Sequence, residues 1–168
     1  MRYVMIALKS ILVATDFGEA SDAALAYGRE MARAFNATLH VIHVADDVYV
    51  RLGGDAYVSV LPELQKDVED AARKRLDDLL VDSDPKPLEV TKAVVTSSAT
   101  ATCIVQYARD HDINLIIVGT HGRAAVAHLF MGSVAERVVR TAPCPVLTVR
   151  QHELDFVVPD ALMKTAHG

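Results

Sequence analysis

The chain has 168 residues, 51% of them hydrophobic, with aromatics at 5% and no Trp. That suits one domain whose core is built from Ala, Val, Leu and Ile, as in helices stacked on a parallel sheet. A formal net charge of −5 without a basic run argues against the backbone of DNA or RNA as a partner. Cys103 and Cys144 make no disulfide framework, which points to a reducing compartment. No stretch reaches the ~18 apolar residues that span a bilayer, and the apolar run 4–8 is broken by Lys9 and Ser10 without a small-residue cleavage site. The expectation is a soluble, cytoplasmic protein.

Residues 10–15 are a short, nearly continuous apolar run ending at Asp16-Phe17-Gly18, and predict the first strand. Ser21 and Asp22 offer N-cap oxygens to a helix reaching about Phe35, with Ala24, Gly28, Met31, Ala32 and Phe35 as its buried stripe. Residues 38–44 predict the second strand, stopped by Asp46 and Asp47. Residues 45–60 show no clear period. Pro62 opens a helix to about Leu80, with Leu64, Val68, Ala72 and Leu79 inward, and residues 82–87 (DSDPKP) end it. Residues 88–95 alternate and predict an edge strand. Ser97 or Ser98 caps a helix from about Ala99 to His111 that buries Ile104, Val105 and Ala108. Residues 114–118 predict a fully buried fourth strand, and residues 146–149 the fifth. Between these last two stand Gly119-Thr120-His121-Gly122, then Gly132-Ser133 and a helix beginning near Val134. Residues 151–168 read as an extension beyond a domain of residues 1–150.

Strand and helix alternate five times, which predicts an α/β fold. It would be a single doubly wound, five-stranded parallel sheet in the order 3-2-1-4-5, with helices on both faces. The ligand crevice of such a sheet lies beyond the carboxyl ends of the strands where winding reverses, between strands one and four. Asp16 ends the first and Gly119 ends the fourth. Glycine lets the backbone turn tightly and approach a ligand closely, and a helix N-terminus presents amide hydrogens and partial positive charge to an anion. This combination points to phosphate. No Lys precedes Ser133 as a Walker loop requires, no Gly-x-Gly-x-x-Gly follows the first strand, and no Gly-x-Ser-x-Gly elbow occurs. A receiver domain would want an acidic cluster and a Lys before the fifth strand, yet residues 93–163 contain no Lys.

Gly119-x2-Gly122-x9-Gly132-Ser133 resembles the signature of the ATP-binding branch of the universal stress protein family. Residues 11–17 resemble that family's first strand, His43-Val44 the end of its second and residues 142–149 its last. The resemblance covers roughly residues 9–150. It departs at Ser97-Ser98-Ala99-Thr100, where the family commonly has a Gly-x-Pro turn. It implies an adenine nucleotide alpha hydrolase-like fold and an ATP site, with ADP or AMP as alternatives and Mg2+ held through the phosphates. In that site the amides of Gly119, Gly122, Gly132 and Ser133 bind phosphate, Asp16 meets the ribose or a metal, and Val44 reads the base. Ala14, Val118 and Val134 line the pocket. The family also implies a homodimer through residues 146–149, and a regulatory role in stress response alongside some further protein partner.

The seven histidines do not suggest a metal site. His40 and His43 are three apart on a strand and face opposite sides, while His121 and His128 have no Cys, Asp or Glu at ligand spacing. Cys144, between two prolines, reads as a small buried hydrophobe. No general base is placed near a γ-phosphate, so no catalytic residue is assigned, and any hydrolysis would be slow. The alternative class is an enzyme that uses ATP chemically, a slow ATPase or nucleotidyl transferase of the related superfamily. The Ser-Gly-Gly-x-Asp-Ser loop and His-x-Gly-His element of that group are both missing.

Overall fold

The structure is a computed structural model, and the residues described in it are 6–52, 59–81, 87–120 and 132–150. In chain order the elements are β1 (Ser10–Ala14), α1 (Glu19–Phe35), β2 (Thr38–Ala45), α2 (Val48–Leu52), α3 (Leu61–Leu79) and β3 (Val90–Thr96). They continue as α4 (Thr100–Asp110), β4 (Leu115–Gly119), α5 (Ser133–Thr141) and β5 (Val146–Val149). The strands form one parallel sheet in the order β3-β2-β1-β4-β5. Ala14 pairs with Ile42 on one side and with Val118 on the other.

The central strands are apolar throughout because both faces are covered. Ile11, Val13, Leu39, Val41 and Ile117 pack beneath α1 and α3, together with Ala24, Ala32 and Leu76. The alternate residues Leu12, Ile42, Ile116 and Val118 pack beneath α4 and α5 with Ile104, Ala108 and Val138. Strand β3 is largely half-exposed, as an edge should be. The start of β1 is pinned by Asn114, whose Oδ1 accepts the amides of Lys9 and Ser10 at 2.8 and 3.1 Å.

Several local expectations are corrected. Helix α1 begins at Glu19 with Gly18 as N-cap. Ser21 acts from inside the first turn, its Oγ accepting the Gly18 amide at 3.2 Å and donating to the Gly18 carbonyl at 2.8 Å. Ala24, Gly28 and Ala32 are buried, but Phe35 is 45% exposed. It is the last helical residue before Asn36 turns left-handed, with φ 53°. On α3 the stripe is Leu61, Gln65, Ala72 and Leu76, and Leu64 is exposed. Ala72 is buried and Val68 and Leu79 are half-buried as expected, and the polar Gln65 shares their face. The patternless stretch after β2 holds the short helix α2, started by Asp47, whose Oδ1 accepts the amides of Tyr49 and Val50 at 3.0 and 3.3 Å.

Gly28 sits where α1 meets the sheet. A Cβ there would stand 2.4 Å from Val13 Cγ2 and 3.3 Å from Leu39 Cδ1. Both neighbours are fully buried, and the Val13 side chain is stiff at χ1. Alanine in mid-helix would gain about 1 kcal/mol of propensity over glycine, while forced overpacking costs about 1–3 kcal/mol. Gly28→Ala is therefore expected to be net destabilising in urea unfolding. An unchanged or raised midpoint would show that α1 can lift off the sheet freely.

Candidate functional site: a cleft at the carboxyl ends of the central strands

The segment after β1 converts strand to helix within four residues. The Thr15 amide still donates to the Ile42 carbonyl, at 2.9 Å. Thr15 Oγ1 then accepts the Phe17 amide at 3.0 Å and lies 3.1 Å from Ser21 Oγ, while Asp16 Oδ1 accepts the Gly18 amide at 3.0 Å. These bonds hold Phe17 at φ 60°, a region that side chains with a Cβ rarely occupy.

Beside this turn β4 ends at Gly119. A Cβ on Gly119 would lie 2.6 Å from the Ala20 carbonyl carbon and 2.7 Å from its oxygen. None of the described glycines takes a positive φ, so glycine is needed here for space, not rotation. The Thr120 amide donates to the Val149 carbonyl at 2.8 Å, and the Gly132 amide donates to the Thr120 carbonyl. Gly132 is the N-cap of α5, without a side-chain cap hydrogen bond. Glu136 donates the first helical bond, to the Gly132 carbonyl at 2.9 Å. The amides of Ser133, Val134 and Ala135 precede it, in the position of a helix's orphan donors.

The ends of these strands and helices enclose a cavity of about 590 Å³. Ala14, Asp16, Val44, Val118, Gly119, Gly132, Ser133 and Val134, all singled out in the sequence, line it together. Gly122 lies outside the described residues, as do His121 and His128. Among the lining residues that sequence reasoning missed are Thr15, Phe17, His43, Thr100 and Arg75. The Phe17 ring lies 4.4 Å from the His43 ring, and Arg75 Cζ stands 4.2 Å over its face. His43 Nδ1 is 2.8 Å from the Thr15 carbonyl; a carbonyl only accepts, so this nitrogen carries a proton. Nearby, burial first and then Asp16 and Glu19 hold the Asp22 carboxyl above the usual range, and Arg75 pulls it back.

Fold and cavity together define an α/β protein with a cleft at the point where sheet winding reverses. The universal stress protein family matches residues 7–150, and the chain belongs to that family. A universal stress protein of Thermus aquaticus is 33% identical over 142 residues, covering 84% of this chain and 98% of the relative. The solved universal stress protein UspA of Lactobacillus plantarum is 28% identical with TM-score 0.68, covering 87% of this chain and all of that one. Two more distant neighbours share the fold: a universal stress protein in complex with cAMP (20% identity, TM-score 0.57, 87% of this chain and 99% of that one) and one from Archaeoglobus fulgidus in complex with dAMP (19%, 0.53, 86% and 99%).

Among the described residues no three His, Cys, Asp or Glu side chains converge as a metal site, and no helix is long and apolar enough to cross a membrane. Cys144 is half-buried against the α4/α5 core, and burial pushes its thiol up. His40 and His43 lie on opposite faces of β2, and His40 Nδ1 is 3.1 Å from the Tyr107 hydroxyl. Burial, then His111, hold His40 below the ordinary histidine value of 6.5, while Glu89 pulls it up. The folded state thus resists a proton that the unfolded chain accepts, so stability rises with pH across that window. His40 is expected to leave stability intact above about pH 6.5, erode it as pH falls toward the depressed native value, and add no further loss below it. His40→Gln should flatten this segment of a stability-versus-pH curve; an unchanged slope would move the acid sensitivity elsewhere.

Proposed function

We propose that the cleft binds an adenine nucleotide, ATP foremost with ADP or AMP as alternates, and that occupancy sets conformation or partner choice in a regulatory stress protein. The observation that carries this reading is the convergence of eight of the nine motif-matched residues on one cavity. The cAMP and dAMP complexes of the two distant neighbours add support for adenine recognition. In this reading Val44 reads the base through its backbone, Ala14, Val118 and Val134 flank it, and the first turn of α5 with Ser133 Oγ takes phosphate. The Gly132 amide is already bonded to the Thr120 carbonyl, so Gly132 contributes mainly by lacking a side chain. Mg2+ would arrive with the phosphates. Asp46, the other lining carboxylate besides Asp16, is engaged by Arg51 at 2.7 Å, and Asp16 is the group that would face ribose or metal.

Mass spectrometry of nucleotide released on denaturing the purified protein tests occupancy. Charge-assisted hydrogen bonds contribute about 1.5–3 kcal/mol each, so loss of the phosphate contacts should weaken binding about 100-fold or more. Gly132→Glu and Gly122→Val are expected to lose ATP affinity on that scale by calorimetry while Thr120→Ser stays near wild type. Equal ATP affinity in a folded Gly122→Val protein would sink the phosphate assignment.

The same reading includes a homodimer through β5, an edge strand whose Val146, Leu147 and Thr148 are only half-buried. An apolar edge is a template for pairing with a second chain, here an isologous two-fold contact. Leu147→Lys should convert a sedimenting dimer to monomer. A wild type that sediments as a monomer at micromolar concentration would contradict the assembly.

A further inference from the structure

The cavity draws its lining from both faces of the sheet. Ala14, Val44, Val118 and Ala135 belong with the α4/α5 core. Phe17 packs with the α1/α3 core, and Val68, Ala71 and Arg75 come from α3. In the reading above, a nucleotide with its base at Val44 and its 5′-phosphates at Ser133 would lie against the first set. The second set lines the α3-side lobe of the same cavity.

This lobe is built around one cation. Arg75 is the only Lys or Arg among the described residues lining the cavity, and its guanidinium Cζ stands 4.2 Å from the Phe17 ring centre. The Phe17 ring also lies 4.4 Å from His43, itself fixed by the Thr15 carbonyl. The Phe17 backbone at φ 60° is a strained setting that persists only where its surroundings over-determine it, and the Thr15 and Asp16 turn bonds do so. A guanidinium held over an aromatic ring retains N–H donors for a planar, bidentate anion.

The surrounding charges decide how an anion could be held. Glu19 and Asp22 occupy the first turn of α1 next to Asp16, and Arg75 acts on Asp22 against the push of those two carboxylates. The local field is therefore not broadly positive. An anion would have to touch the Arg75 edge directly, which favours a group delivered there by a ligand already anchored. In dinucleotide folds either a strand-end carboxylate reads free ribose hydroxyls or a nearby Arg accommodates a phosphate on the ribose. One group of each kind, Asp16 and Arg75, lines this cavity.

We propose that the α3-side lobe is a subsite for an anionic group on the ribose of an adenine nucleotide, a 2′- or 3′-phosphate, with Arg75 as its specificity-determining residue. The inference rests on the adenine-nucleotide reading above. The test compares three isomers of equal composition, ordinary ADP, adenosine 2′,5′-bisphosphate and adenosine 3′,5′-bisphosphate, titrated into the full chain. Wild type should bind one of the two ribose-phosphorylated isomers about tenfold more tightly than ADP, the scale of one charge-assisted contact. Arg75→Gln, at an exposed helix position, should bring that ratio to about one and leave ADP affinity unchanged. Arg75→Lys should keep part of the preference, since charge remains and the bidentate edge is lost. A wild-type ratio of one or less, or an equal loss for all three isomers in Arg75→Gln, overturns the subsite while ADP binding itself still stands. Failure of wild type to bind any of the three, or ATP, overturns the adenine-nucleotide reading and this inference with it.

Discussion

Backbone meets backbone where β4 ends against the first turn of α1, with Gly119 close enough to Ala20 that no Cβ fits between them. The contact follows from the sheet. Val118 is paired to Ala14, and α1 starts four residues after β1, so its first turn must pass over the end of the neighbouring strand. Helix α1 thus covers the junction on one face, and α4 and α5 cover the other. The strand ends are left as an open floor between them, with the N-termini of α1, α4 and α5 at its rim. Without the missing side chain at Gly119, α1 would be pushed outward and the floor would lose its edge.

The N-termini of α1 and α5 are not equivalent. Helix α1 is supplied by its own chain: Ser21 reaches back to Gly18, and Glu19 and Asp22 place acidic charge in the first turn. Helix α5 has one acidic residue in its first turn, Glu136, paired with Arg140 at 3.1 Å. A nearby anion at a helix N-terminus is worth about 0.3–1 kcal/mol; α1 carries two such carboxylates and α5 one, already paired, so α5 keeps the larger share uncompensated. A chain with net charge −5 can in this way offer an anion site built of amides and a hydroxyl, with one guanidinium across the cavity and no basic patch.

Strand order and the buried face of α4 were legible in the sequence because both depend on short-range pattern: apolar runs of five residues, and Ile104, Val105 and Ala108 at helical spacing. The motif-matched lining residues were legible because Asp16 follows β1 and Gly119 ends β4, strands that the order makes neighbours. Arg75 was not. It stands among the charged residues of α3, and only the left-handed turn at Phe17, which carries no sequence signature of its own, brings an aromatic face beneath it. Gln65 was not legible for the opposite reason, since a polar side chain normally faces solvent and this one is buried.

Gln65 also explains why the α3 wall stands where it does. Its Oε1 accepts the Val48 amide at 2.9 Å, and its Nε2 reaches the Asp46 carbonyl at 3.3 Å and Thr96 Oγ1 at 3.2 Å. Thr96 in turn donates to Glu69 at 2.7 Å. One buried amide thereby ties together the end of β2, the start of α2, the end of β3 and the helix that carries it. Val68, Ala72 and Arg75 follow at three, seven and ten residues along α3, close to the same helical face. Apolar contacts would tolerate sliding of that face by a fraction of a turn. Directional hydrogen bonds to three separate partners do not, so Gln65 helps to fix the distance from Val44 across to Arg75.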